Sequence, residues 1–492
     1  MDASATSHFG LGPKRGFEST KGADFGNDVP SSADEDHWSI PVGPAVQTDS
    51  DVESVDVIRF EELDGRAVFS AGEPPPSAAM TSAVLTSFGA TRVASDATPA
   101  DIATEVIRRQ GLEDTFYVFD LSVVSRLYNG WRQVMPSVTP FYAVKCNPDR
   151  GMLAMLAALG TGFDCASAAE IDLVLSLGVP AERIIYAHPC KPMSHIRHAA
   201  KVGASLTTFD NESELHKLVH AHPGTQLLLR IRADDKLAQH SMGNKYGAEI
   251  QETAHLLKAA KALNLAVVGV SFHVGSGASS ATAWADAIAL ARGVFDTGLA
   301  LGHHMKLLDI GGGFAGGKFL ADGSLNLAPV AASVEAALAQ HFPPSQGAVR
   351  VIAEPGRFFG EQPGALALAI NGTRTRETAE GTLRRDYFMS DGIYGSLNCI
   401  LYDAAKPQAR GLRNPLLPPP TPSAKADLCP STLFGPTCDG ADIVASDALL
   451  PQLRVGDFIF FAGLSAYSIA GACNFNGFDV AGAKTYYYCS QM

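Results

Sequence analysis

From about residue 121 the chain settles into one rhythm. A short run rich in β-branched and aromatic residues gives way to a helical stretch, eight times over about 240 residues. The runs are Phe141–Lys145, Gly162–Cys165, Ile184–His188, Ser205–Asp210, Leu227–Arg230, Val267–His273, Met305–Ile310 and Val351–Glu354. Eight such units in this length have the size of a parallel α/β barrel, the TIM-like (β/α)8 fold. An open doubly wound sheet is the alternative. The intervening helices carry their own start signals, since Ser167-x-x-Glu170 and Asn211-x-x-Glu214 have the form of capping boxes. Met152, Met155, Leu156 and Leu159 follow the i, i+3, i+4, i+7 spacing of a buried helix face.

The flanks differ. After about residue 362 the helical period fades, and β-like runs follow at Gly364–Asn371, Asp386–Ser390, Asp457–Phe461 and Tyr486–Tyr488, broken by a proline-rich loop at Leu416–Pro422. A strand at Phe116–Phe119 joins them from the N-terminal side, preceded by a helix from Thr98-Pro99 to Gly111. The expected organisation is a barrel over 121–362 and a mainly β domain, of sandwich or Greek-key type, over 96–120 and 363–492. Residues 1–95 hold Ser, Asp, Pro and Gly clusters such as Pro74-Pro75-Pro76 with little apolar periodicity. They predict a low-complexity, disordered extension, too acidic for a transit peptide.

Lys and Arg number 38 against 51 Asp and Glu, and the resulting charge of −13 argues against nucleic acid as a partner. No apolar run reaches the roughly 18–20 residues that span a bilayer, and no basic-then-apolar leader opens the chain. None of the eight cysteines forms a C-x-x-C pair, so neither a disulfide framework nor a metal site is expected. Reduced thiols in the cytoplasm are the expectation.

Chemistry-bearing residues fall in phase. Lys145, Asp164, His188, Asp210, Arg230, His273, Gly311-Gly312-Gly313 and Glu354 all stand at the C-terminal ends of the strand runs, which in a parallel barrel share the catalytic face. Lys145 closes an apolar run and reads as an amine nucleophile whose pKa desolvation lowers. Gly275-Ser276-Gly277 and Gly311-Gly312-Gly313 offer bare N–H groups for a phosphate, and Arg357 beside Gly356 adds a fixed cation. Gly311, Gly313 and Gly316 also fit the dinucleotide fingerprint, but at the seventh repeat and without an acidic strand end about 20 residues on. A lysine, a late phosphate site and a carboxylate at Glu354 suggest pyridoxal phosphate instead, whose ring nitrogen an acid keeps protonated. His273 can stack on such a ring.

Pro140–Asn147, Gly162–Ser167, Phe272–Ser276, Leu308–Gly313, Ala353–Arg357, Tyr394–Asp403 and Gly435–Gly440 together resemble eukaryotic ornithine decarboxylase over about residues 100 to 490. The resemblance implies a pyridoxal-phosphate barrel with a C-terminal β domain. It also implies decarboxylation of L-ornithine to putrescine at the start of polyamine synthesis, by a homodimer with shared sites. By the same token Lys145 is the lysine that carries the cofactor, Glu354 the partner of its ring nitrogen and His273 the stacked ring. Asp164, Arg230, Ser276, Gly311, Gly312, Gly313, Pro355, Gly356, Arg357 and Tyr467 complete the cofactor set, and Glu170 is a supporting acid. Tyr402 and Asp403 meet the substrate, with Asp439 and the proton donor Cys438 supplied by the second subunit.

The family usually has Gly-Ala-Tyr where this chain has Ser465-Ala466-Tyr467, a change that would weaken the dimer or move Tyr467. The nearest rival substrates are lysine and diaminopimelate. His273 within Phe-His-Val-Gly favours ornithine over lysine, and a second carboxylate would need a cation where Asp403 offers an anion. A non-catalytic homologue resembling antizyme inhibitors is the rival of another class, but Lys145, Arg357, Asp403 and Cys438 are all present. Lys191–Lys217, where the animal family binds antizyme, reads as a solvated, mildly basic face.

Overall fold

The computed structural model describes residues 78–490 apart from 234–237, 239–243, 279, 380, 420–427 and 480–481. Two strands precede the barrel, β1 (Thr91–Arg92) and β2 (Phe116–Asp120). The barrel itself is β3 (Val138–Ala143), β4 (Gly162–Cys165), β5 (Ile184–Tyr186), β6 (Leu206–Phe209), β7 (Gln226–Arg230), β8 (Ala266–Ser271), β9 (Leu307–Asp309) and β10 (Arg350–Ala353). All neighbours are parallel, and β10 closes on β3 with Val351 opposite Val138, which rules out the open sheet. Each of the eight runs read from the sequence is a strand.

Closure sorts the side chains. Phe141, Ile185, Leu228, Val268, Leu307 and Ile352, from six of the strands, form one buried cluster that fills the barrel beneath its C-terminal mouth. The polar residues lie just past the last paired positions. Lys145 sits in the 3-10 turn Val144–Cys146, His273 two residues beyond β8 and Glu354 one beyond β10. The expected Met and Leu stripe on helix Arg150–Ala158 and its end is fully in the core.

The remaining strands are β11 (Gly364–Glu377), β12 (Leu383–Met389), β13 (Arg410–Leu412), β14 (Cys429–Phe434), β15 (Ile443–Leu450), β16 (Phe458–Phe461) and β17 (Lys484–Cys489). They join β1 and β2 in a mixed sheet of order β1-β17-β2-β11-β12-β14-β15, with β16 on β11 and β13 on β16. The first half of β11 is buried between β2 and β16, and past a register shift at Ile370/Gly372 its second half runs into solvent beside β12. All four β-like runs and the Phe116 strand are present. The sequence missed β13, β14 and β15 because β14 contains Pro430 and β15 carries Asp447 among its small residues, both poor strand signals. Part of the Leu416–Pro422 loop lies outside the described residues.

Three expectations need correction. Residues 78–95 are ordered: helix Ala78–Ser87 buries Val84 and Leu85 and packs on helix Arg150–Ala158, and β1 pairs with β17. Its Ala, Ser and Thr content leaves almost no apolar contrast to read, while residues 1–77 lie outside the described ones. Neither Ser167 nor Asn211 starts a reciprocal capping box. Each accepts from the N–H three residues on, but Glu170 accepts from Ala166 N–H instead, and Glu214 turns inward. Thr98, the cap expected for the first helix, does form one, with Asp101. Finally, Lys191 is not solvated and Lys217 is only partly so. The Lys191 ammonium is buried against Glu214 at 2.9 Å and donates to the carbonyls of His188 and Thr208, and Lys217 pairs with the other Glu214 oxygen.

Candidate active site

Lys145 projects from the turn after β3 into the barrel mouth, where its ammonium pairs with the Asp164 carboxylate at the end of β4. Asp164 is fully buried, whereas 40% of the Lys145 side chain remains exposed, so the amine is held from below and reachable from above. Burial pushes the Lys145 pKa down, as the sequence suggests, but the carboxylates of Asp164 and Glu354 outweigh it and the net shift is upward. The expectation of a lowered pKa is therefore overturned by a partner one strand away, which strand spacing alone does not reveal.

A third acid completes the floor. Asp309, in the last position of β9 and not singled out in the sequence, is fully buried and accepts from Gly311 N–H at 2.9 Å. Its only signal was an acid two residues ahead of the glycine run. Burial raises Asp309 to about 7, although the Gly311 N–H opposes the rise. Glu354, in contact with the Asp309 and Asp164 charges, is raised well above the usual carboxylate range by burial first and by those charges second. Linkage fixes the sign. A carboxyl that binds its proton more tightly folded than unfolded stabilises the fold at low pH, and that contribution is lost as pH rises toward about 7. Cofactor-free protein is thus expected to lose melting temperature between about pH 4 and pH 7, and Asp309→Asn to flatten that slope by a few degrees in a thermal scan. A slope unchanged by the substitution would contradict the assignment.

His273 accepts from Gly275 N–H through Nδ1 at 3.0 Å, which leaves the proton on Nε2. Burial, together with the nearby Arg230 and Lys145 cations, drives its pKa well below the usual value, so the ring is neutral. Arg230, at the end of β7, also lies 5.4 Å from the Tyr246 ring.

The two glycine runs lie main chain against main chain. Ala278 N–H donates to the Gly313 carbonyl at 3.2 Å. Gly311 and Gly313 have φ of +62° and +105°, and a Cβ at either would sit 2.0 Å from the Phe272 carbonyl oxygen or 2.6 Å from that of Gly275. Ser276 lies between Gly275 and Gly277, both also at positive φ. After β10, the neighbouring strand, a Cβ on Gly356 would meet the Tyr467 hydroxyl at 3.0 Å, and the Arg357 guanidinium lies 5.0 Å from the Tyr467 ring. Pro355 joins this edge to β3 through its carbonyl, which accepts from Ala143 N–H. Arg357 forms a bidentate pair with Asp403, at 2.6 and 2.8 Å, so the expected phosphate cation and the expected substrate acid hold each other.

Tyr402, Cys438 and Asp439 remain. Tyr402 is 73% exposed. Cys438 and Asp439 sit on an exposed turn after β14, with hydrogen bonds from Cys438 N–H to Asn476, from Tyr394 to the Asp439 carboxylate and from Ala441 N–H to the same group. Among the described residues all eight cysteines are free thiols.

The mouth fits pyridoxal phosphate on its own terms. Asp164 Oδ1 and Asp309 Oδ2 are buried without a hydrogen-bond partner, and three buried carboxyls surround one amine, an arrangement that favours an added cationic ring nitrogen. The glycine runs and Arg357 supply the donors a phosphate takes. Closed barrel, amine and cradle define a pyridoxal-phosphate-dependent enzyme of the barrel type.

Residues 121–361 match the family model described as the pyridoxal binding domain of pyridoxal-dependent decarboxylases. The chain belongs to the ornithine decarboxylase family. It is 45% identical to the Rattus norvegicus ornithine decarboxylase over 378 residues, 75% of this chain and 79% of the relative. It is also 45% identical to the chloroplastic ornithine decarboxylase of Nicotiana glauca, over 77% of this chain and 84% of the relative. Among solved structures, the arginine decarboxylase of Paramecium bursaria Chlorella virus bound to agmatine matches with a TM-score of 0.72 and 35% identity, covering 79% of this chain and all of that one.

Proposed function

We propose that this chain is an L-ornithine decarboxylase, releasing CO2 and putrescine in a homodimer. The observation that carries the reading is the Lys145–Asp164 pair beside Glu354 at the mouth of the closed barrel. Bound at Lys145, pyridoxal phosphate supplies an electron sink for the pair left on the α-carbon when CO2 departs. The protein's own residues do the rest. Glu354 would hold the proton at the ring nitrogen, and Asp164 would hold the Lys145 nitrogen in place. His273, kept neutral, lays a flat face on the ring without adding a charge that would compete with the nitrogen. Ser276, Gly311, Gly312, Gly313, Gly356, Arg357 and Tyr467 bind the phosphate, with Pro355 and Arg230 shaping the pocket.

Asp403, oriented by its bond to Arg357, faces the distal ammonium of the substrate, and charge-assisted pairing there selects a diamino acid. Asp439 of a second copy supplies the other carboxylate, and Cys438 of that copy delivers the proton to the α-carbon. Cys438 is exposed and Asp439 half-buried on a turn whose contacts are to Asn476 and Tyr394 rather than to Lys145, which supports their use across an interface. Free thiols suit a reducing compartment, and we place the enzyme in the cytoplasm. No helix among the described residues is long and apolar enough to cross a membrane. An antizyme-type regulator docking on 191–217 would find Arg197 and Lys201 at the surface but Lys191 and Lys217 already paired with Glu214.

Parallel assays of ornithine, lysine, arginine and diaminopimelate, following CO2 release and cofactor absorbance together, test the assignment. Ornithine is expected to turn over fastest. Faster release from any of the other three would reject it, and absence of a cofactor band would turn the reading toward a non-catalytic homologue.

A further inference from the structure

Ser465 occupies a seam no catalytic role explains. It is 1% exposed, and its hydroxyl donates to the Gly360 carbonyl at 2.6 Å while accepting from Gly364 N–H at 3.1 Å. A Cβ on Gly364 would fall 2.4 Å from the Ser465 Cβ, so the missing side chain at 364 is what makes room for the serine. The two groups it bridges flank the end of helix Arg357–Gly360, whose first residue is Arg357. Two residues after Ser465 stands Tyr467, which has φ of +53° and donates its N–H to the Cys146 carbonyl, next to Lys145, at 2.7 Å. The segment 465–467 is therefore fastened at one end to the Arg357 helix and at the other to the Lys145 turn. Left-handed backbone at a bulky residue such as Tyr467 persists only where its surroundings over-determine it.

We propose that the Ser465 hydroxyl is a positioning residue for the phosphate subsite, fixing Tyr467 and Arg357 relative to one another and to Lys145. The inference rests on the reading that Tyr467 and Arg357 bind the cofactor phosphate. Substituting alanine removes the hydroxyl and leaves the Gly360 carbonyl and Gly364 N–H without that partner, so the seam loosens where the phosphate contacts are anchored.

The test compares pyridoxal phosphate with pyridoxal, which lacks the phosphate, in fluorescence titrations of the cofactor-free full chain. Wild-type protein is expected to prefer the phosphate form strongly. Ser465→Ala should weaken pyridoxal phosphate binding about tenfold, the scale of one lost hydrogen bond, while pyridoxal changes by less than about twofold. Ser465→Thr, which keeps the hydroxyl, should recover most of the preference. Equal weakening of both ligands, or of neither, would overturn the positioning role and leave a merely structural seam. A wild-type protein with no preference would instead overturn the phosphate subsite itself. Should Ser465→Ala not fold, Ser465→Cys, whose thiol is a weak donor and acceptor, takes its place in the same ratio.

Discussion

Lys145→Ala is expected to give a folded protein whose ornithine turnover is lower by about a thousandfold or more, the scale on which covalent catalysis contributes when the nucleophile is lost. Folding should survive because Lys145 lies in a turn with 40% of its side chain exposed, outside the packed floor of the barrel. What disappears is the amine paired with Asp164, leaving Asp164, Asp309 and Glu354 without that counter-charge. Borohydride reduction followed by peptide mapping should place the pyridoxyl label on Lys145 in wild-type protein and nowhere in the variant. A label at any other lysine, or undiminished turnover, would reject the assignment.

Glu354→Gln should lower kcat by roughly 10²–10³-fold, the usual size of a lost electrostatic contact aimed at developing charge. Glutamine keeps the shape but cannot carry the anion that a protonated ring nitrogen requires. KM for ornithine should move little, because Glu354 would meet the ring nitrogen rather than the distal ammonium. In the chain without cofactor, burial and the Asp309 and Asp164 charges raise the pKa of this carboxyl. Supplying a cation at the ring nitrogen reverses that balance, so the tension in the apo site is relieved by the group it is built to receive. Steady-state kinetics of the variant decide the matter, and an effect confined to KM would contradict the role.

Much of this was legible because barrels announce themselves by repetition. The eight strand runs, the capped helix from Thr98 to Gly111 and the line of polar residues at the strand ends follow from local pattern, and closure merely gathers them. What was not legible depends on partners distant in sequence. The upward shift of Lys145 comes from Asp164, 19 residues away, and the burial of Lys191 from Glu214, 23 away. Arg357 and Asp403 are 46 residues apart, and nothing in either motif indicates that one would hold the other. Helix Ala78–Ser87 escaped for a different reason: alanine, serine and threonine bury small surfaces, so a real interface leaves a faint trace. Ser465 shows the converse. A single departure from a family pattern was visible at once, but the Gly364 that makes room for its side chain was not.

The placement of β17 between β1 and β2 sets an order of events in synthesis. Ser490 bonds to Asp120 across 370 residues of chain, and the whole of β2 pairs with β17. On a ribosome adding about 5–20 residues per second, β2 therefore waits roughly 20–70 s for its neighbour. A nonsense codon just ahead of Lys484 would remove an interior strand rather than a fringe, leaving Phe116–Asp120 bare along one edge and open to pairing with another nascent copy.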